Sequence, residues 1–183
     1  MKRASISILT ILLLCLTVQS ASAQKALSYK DGVFELDRGD FYSAFATFKR
    51  LAEQGDARSQ HDLAVMHMIG YVGKQDFKAA AKWFQRAADQ GLARAQYSLG
   101  ELLESGRSGV QNKVKALQWY WISGILARRP QRRILAKSKV QVLEGQLSQV
   151  ERVQARKGGC DWLSKAEDRL KLSPSTLSIC AGD

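Results

Sequence analysis

Cysteine and histidine are scarce in this chain, and each shortage removes a class of function. Three cysteines occur in 183 residues, Cys15, Cys160 and Cys180, with none between the first two. His61 and His67 are the only histidines, and no Cys/His quartet exists to hold zinc. The two histidines stand six apart, not at the i, i+4 spacing that would aim both at one metal from a single helical face. No G-x-x-x-x-G-K-[ST] loop and no G-x-S-x-G elbow is present. The sole S-x-x-K, Ser22 to Lys25, straddles a processing site, which argues against a serine hydrolase. The sequence therefore predicts no catalytic residue, no metal and no cofactor. The longest apolar run, Ile6 to Val18, is about 13 residues, short of the roughly 20 that span a bilayer.

That run belongs to a leader. Lys2 and Arg3 precede it and Ala21-Ser22-Ala23 follows it, the order of parts in a secretory signal peptide covering 1–23, with the mature chain starting at Gln24. Bulky Leu14 before Cys15 argues against a lipid-modified cysteine. The expected compartment is across the inner membrane, in a bacterial periplasm. Cys160 and Cys180 are then expected to pair, the other reading being two free thiols in a frayed tail. Acidic residues are scarce in the second half. Residues 24–93 hold 10 basic and 9 acidic side chains, whereas 94–171 hold 16 and 7. That imbalance suits an acidic partner or an anionic surface. Export argues against nucleic acid.

What the chain does have is a period of 36 residues. Ala57/Ala93, Arg58/Arg94, Gln60/Gln96, Leu63/Leu99, Gly70/Gly106, Gly73/Gly109, Gln75/Gln111, Ala80/Ala116 and Trp83/Trp119 fall in register. One further step back, Asp40-Phe41, Ala44, Phe48, Arg50, Ala52 and Gln54-Gly55 match Asp76-Phe77, Ala80, Phe84, Arg86, Ala88 and Gln90-Gly91. A period of this length marks a solenoid whose units bury their apolar faces against one another. Within 57–91, Ala57, Gln60, Leu63, Ala64 and His67 share one helical face. Gly70 and Gly73 reverse the chain, Asp76 caps a second helix as Asp40 and Asn112 do, and Gly91, like Gly55, ends it. Each unit is expected to be a helical hairpin.

Gln60-x-x-Leu63-Ala64, Gly70-x-x-Gly73, Gln75-Asp76, Ala80-x-x-Trp83-Phe84 and Ala87-Ala88-x-x-Gly91 resemble the Sel1-like repeat, a relative of the tetratricopeptide repeat. The copy from Gln96 to Tyr120 resembles it too. The resemblance covers about Lys25 to Ala127. It implies an all-α fold, an α-solenoid of antiparallel hairpins coiled into a right-handed superhelix, which serves as an adaptor and binds proteins in its concave groove. The expected division is a signal peptide at 1–23 and a solenoid at 24–127, with a cap unit at 25–55 and repeats at 57–91 and 93–127. A basic, cysteine-bearing C-terminal cap follows at 128–183. The cap unit lacks the paired-glycine loop, and the repeat ending is lost after Trp119. Family members with claimed hydrolytic activity carry a disulfide in each repeat, which this chain lacks.

In the cap, Pro130 suits a helix start. Ala136, Val140, Leu143 and Leu147 form a seam to cover the last repeat, and Gly145 ends that helix. Ser148 to Glu151 reads as a capping box for a helix running to about Lys157, where Gly158-Gly159 is expected to break it. Trp121 is expected to lie beneath this cap, and Pro174 to stop a last helix bearing Leu163, Ala166 and Leu170.

Two binding surfaces are expected. The first is a partner groove on the first helices: Arg58, Asp62, Val65, Met68 and Ile69, with Arg94, Ser98, Glu101, Glu104 and Ser105 in the next copy. Apart from the matched Arg58 and Arg94, these positions vary while the core stripe repeats. The second is a basic ridge of Arg128, Arg129, Arg132, Arg133, Lys137 and Lys139, suited to an acidic partner or an anionic envelope component. For both, an ordinary solvated face remains the alternative. The leading reading is a non-enzymatic adaptor with a protein partner. The alternative is an envelope accessory docked through the ridge; the resemblance links periplasmic members to flagellar motors, sensor regulation, and peptidoglycan or exopolysaccharide machinery.

Overall fold

The computed structural model describes residues 27–181; the leader expected at 1–23, Cys15 and the expected start at Gln24 lie outside them. Nine α-helices follow one another and no strand occurs among the described residues. Three hairpins come first: α1 (Tyr29–Asp37) with α2 (Phe41–Glu53), α3 (Ala57–Ile69) with α4 (Phe77–Asp89), and α5 (Ala93–Ser105) with α6 (Lys113–Leu126). The cap is α7 (Pro130–Glu144), α8 (Gln149–Leu170), α9 (Pro174–Leu177) and a 3-10 turn, Ser178–Cys180. No helix of the described residues is long and apolar enough to cross a membrane.

The repeat signals do the work the sequence assigns them. Asp40, Asp76 and Asn112 each accept a hydrogen bond from the backbone N–H three residues on, at 3.1, 2.8 and 2.9 Å, satisfying an orphan donor of the second helices. Gly70 and Gly106 close α3 and α5 in the left-handed region, at φ 81° and 71°, where a side chain would be strained. Contacts recur at the same period. Gln60 and Gln96 are buried, and each Nε2 donates to the carbonyl at the end of the preceding hairpin, Ala52 at 3.0 Å and Ala88 at 3.1 Å. His61 lies 5.3 Å from Phe84, and Tyr97 lies 5.2 Å from Tyr120, centroid to centroid.

The first hairpin is a shortened version. Residues 38–40 join α1 to α2, four fewer than 70–76 or 106–112. Gly32 thereby takes the place of Ala64 and Gly100. A Cβ on Gly32 would sit 2.6 Å from the Phe48 ring, as one on Gly100 would sit 2.8 Å from Tyr120. Helices approach closely here because the facing residue is small.

The cap departs from expectation at one point. Gly158 and Gly159 do not end a helix; α8 runs unbroken from the Ser148–Glu151 capping box to Leu170. The glycines serve packing instead. A Cβ at Gly159 would lie 2.6 Å from Trp121 and one at Gly158 2.7 Å from Gln118. Trp121 does lie beneath the cap, but against α8. Helix propensity loses about 1 kcal/mol per glycine, and burial of an indole against the bare backbone offsets it. Ala136, Leu143 and Leu147 are buried as the seam predicts. Leu163 joins the central core of α4, α5 and α6, and Trp162 meets Trp119 edge-on at 5.8 Å. Cys160 and Cys180 are disulfide-bonded, with Cα atoms 5.6 Å apart, which ties the tail to α8.

Candidate functional site

The first helices of the three hairpins, α1, α3 and α5, and the cap helix α7 contribute side chains to one side of the molecule. Asp62 of α3 is the hub. The Tyr29 hydroxyl donates to it at 2.6 Å and His61 Nδ1–H at 2.7 Å, while the Arg94 guanidinium stands 3.4 Å away. Burial would raise the Asp62 carboxyl, but the hydrogen bonds from His61 and Tyr29 and the charge of Arg94 outweigh it and hold the group below the usual range. Burial pushes His61 down despite its bond to Asp62, so a neutral imidazole occupies this place. Burial and the bond to Asp62 push the Tyr29 phenol up. Arg58 lies over the Tyr29 ring at 4.4 Å, a cation–π contact.

A second polar knot joins α5, α6 and α7. Glu104 accepts from the Tyr120 hydroxyl at 2.7 Å and from Lys139 at 2.8 Å. Burial opposes ionisation, but these two bonds hold its carboxyl below the ordinary value; the bond to Glu104 raises Lys139 in turn. Burial and Glu104 push Tyr120 far upward. These are anchoring groups: phenols, carboxylates and cations committed to one another across the helices. Among the described residues no group of three or more His, Cys, Asp or Glu could hold a metal ion.

The expected groove residues divide. Arg58, Asp62 and Arg94 meet around Tyr29, and Ile69, Glu101 and Ser105 are exposed. Ser98 is half-buried, and the Ser105 hydroxyl donates back to the Glu101 carbonyl at 2.8 Å. Val65 and Met68 are half-buried against the central core, and Glu104 is tied to α6 and α7. These three serve the seam between units more than an open groove.

The basic ridge is not one ridge. A helix turns about 100° per residue, so Arg132 and Lys139, seven apart, share a face that Arg133 and Lys137 do not. Arg128, Arg129 and Arg132 line a cavity together with Arg58 and Arg94. Arg133 and Lys137 instead border a cleft of about 510 Å³ floored by Trp121, Gly124 and Ile125 and walled by Ile179 of the disulfide-tied tail. Arg133 also donates to the Ala127 carbonyl at 3.1 Å, and Lys139 is spent on Glu104. The sequence reading missed Tyr29 and Lys171 as members of the groove side. Tyr29 sits in the degenerate first unit, and Lys171 arrives only through the reach of α8.

Repeated hairpins, side by side and sharing one core, define an α-solenoid. More narrowly, the family model of the Sel1 repeat matches three consecutive stretches, 21–56, 57–92 and 93–120, and the chain belongs to the Sel1 repeat family. The stretch read as a cap unit is thus counted as a repeat. Two solved structures share the fold. A protective antigen of uropathogenic Escherichia coli with an SLR fold superposes with a TM-score of 0.69 at 22% identity, over 82% of this chain and 31% of that one. A Sel1 repeat protein from Oxalobacter formigenes gives 0.58 at 22% identity, over 78% of this chain and 56% of that one. The chain thus spans about a third and about half of these two proteins. A search of the curated proteins finds no match. Sel1 repeat solenoids are generally non-catalytic scaffolds for protein–protein interaction.

Proposed function

We propose that this protein is a non-enzymatic adaptor of the periplasm that binds a protein partner across the first helices of its repeats. The observation that supports it is a cluster of polar groups on the first helices that is ordered by its own bonds: Asp62 accepts from the Tyr29 hydroxyl and pairs with Arg94. The first helices carry, beside their core stripe, a row of charged and polar groups at Arg58, Asp62, Arg94, Ser98 and Glu101. Asp62 and Arg94 are held in place by bonds to Tyr29 and to each other, so part of this surface is ordered before a partner arrives. Periplasmic location is argued from the leader expected at 1–23 and from the bridged Cys160–Cys180, a bond that persists in oxidising compartments.

Affinity capture from envelope extracts tests the reading. A defined partner is expected on the wild-type protein and is expected to be lost from the Arg58→Glu/Glu101→Lys variant, whose two sites are exposed and whose fold is checked by circular dichroism. Equal capture by the variant would move the partner site off this surface. Docking on an extended anionic surface through the basic segment draws less support, because the six cations are dispersed over separate faces rather than aligned on one.

A further inference from the structure

Where the repeats meet the cap, a cavity of about 870 Å³ opens on the groove side. Six of its lining side chains are cationic: Arg58, Arg94, Arg128, Arg129, Arg132 and Lys171, and no carboxylate lines it. They come from α3, α5, the α6–α7 connection, α7 and the end of α8, so the fold gathers charges that lie more than 100 residues apart in sequence. Two of the six are partly answered from outside the cavity, Arg94 by Asp62 at 3.4 Å and Arg58 by Asp56 at 3.5 Å. Arg128, Arg129, Arg132 and Lys171 make no salt bridge with the described residues.

The backbone adds to this field. Helices α5 and α7 both begin at the cavity, and their cap positions are Leu92 and Arg129, neither of which caps with its side chain. In the sister repeat Asp56 stands where Leu92 does and accepts from Ser59 N–H at 2.7 Å. The second copy thus lacks the acid that would otherwise cancel part of the positive helix end. Burial together with the charges of Arg94 and Arg129 depresses even the Arg132 guanidinium, the mark of cations gathered without a counter-charge. The arginine Arg94 Nε is buried and unpartnered.

We infer that this cavity is a binding site for an anion carrying two linked phosphate groups. Five of the six cations are arginines, whose planar forks bind phosphate oxygens in pairs, and helix N-termini supply further N–H donors to the same oxygens. A single phosphate is far smaller than the cavity. Inorganic diphosphate brings three or four negative charges to the four unpaired cations and a diphosphate monoester two or three, which leaves Leu92, Ile125, Leu126, Leu170 and Leu172 to meet the attached apolar or sugar group. The site goes beyond the partner reading, since a small anion needs no second protein.

Calorimetric titration of the purified protein with inorganic pyrophosphate tests it. Saturable one-to-one binding at about 0.1 M salt is expected, at least tenfold tighter than orthophosphate. The Arg129→Gln/Arg132→Gln variant is expected to weaken it at least tenfold, whereas Arg133→Gln/Lys137→Gln, in the other cleft, leaves it unchanged. Arg132→Lys, which keeps the charge and loses the fork, is expected to lie between. Flotation with neutral vesicles and with vesicles bearing a lipid diphosphate separates a lipid-borne group from a free one. Binding only to the latter vesicles assigns the lipid form, and competition by free pyrophosphate ties it to this cavity. The inference is overturned if pyrophosphate shows no saturable binding and the diphosphate vesicles are ignored. Equal loss in both variant pairs, or tighter binding of a hexaglutamate peptide than of pyrophosphate, overturns it as well. Retention of the captured protein partner by Arg129→Gln/Arg132→Gln distinguishes failure here from failure of the adaptor reading.

Discussion

The two full repeats and the C-terminal cap cover apolar surface in different ways. In α3–α6 each contact is made twice: a buried Gln under the previous hairpin, an aromatic pair, a capping Asp or Asn, and a left-handed glycine. In α7–α9 every contact is made once: Trp121 on Gly159, Trp162 on Trp119, Leu170 on Gly91, and one disulfide. The Arg169 guanidinium donates to the Asp89 carbonyl, so α8 reaches back to the end of α4. Redundant nearest-neighbour contacts give a body in which damage spreads unit by unit. Unique long-range contacts give a cap in which no second copy of a contact makes good a lost one.

The largest expected effect breaks the repeat side. Phe84 is fully buried in the central core, and Phe84→Ala is expected to cost about 3–5 kcal/mol and to lower the chemical denaturation midpoint of the whole chain. On the cap side, Cys160→Ser/Cys180→Ser opens a loop of 20 residues, worth about 3 kcal/mol in the chain-entropy account. Hydrogen exchange should then rise in α9 and the 3-10 turn while α3–α6 keep their protection. If α3–α6 lose protection to the same extent, the two regions are not separable.

Smaller still is Gly159→Val, which drives a side chain into Trp121 at a cost of about 1–3 kcal/mol. It is expected to shift Trp fluorescence and to loosen α8 without collapsing the repeats. The smallest effect is that of pH. Burial lowers the His61 pKa from its ordinary 6.5, so the unfolded chain takes up the proton first. The His61 contribution is whole above pH 6.5 and is lost as pH falls from 6.5 toward the folded value. Asp62, also depressed, adds a loss in the same direction only below its ordinary 3.8. His67 is lowered by burial as well and adds a loss of the same sign, so His61→Tyr, the residue of the sister repeat, is expected to reduce the slope just below 6.5 in thermal melts; an unchanged slope assigns all of it to His67.

The same contrast explains what was legible. Positions compared against a second copy declared their role: Asp76 against Asn112 read as a cap, Gly70 against Gly106 as a turn. The cap has no second copy, so its residues had to be read by local rules alone. Gly158-Gly159 satisfies the local rule for a helix break and is overruled by Trp121, 38 residues before Gly159. The ridge divides for a related reason: Arg133 and Lys137 share one cleft, and Arg128, Arg129 and Arg132 another cavity. Spacing by fours groups Arg129, Arg133 and Lys137, but Arg129 is the cap residue of α7, and what faces each cation is decided by α5, α6 and the tail. Glu104 was legible as a variable charged position, not as the carboxylate that anchors Lys139.

The central claim is that a protein partner lies on the first helices, and site-specific photo-crosslinking in intact cells tests it most directly. A photoreactive residue at Ser98 on α5 should yield one discrete adduct, and the same residue at exposed Lys82 on α4 should yield none. Adducts of equal strength from both positions, or from Lys82 alone, would contradict the account.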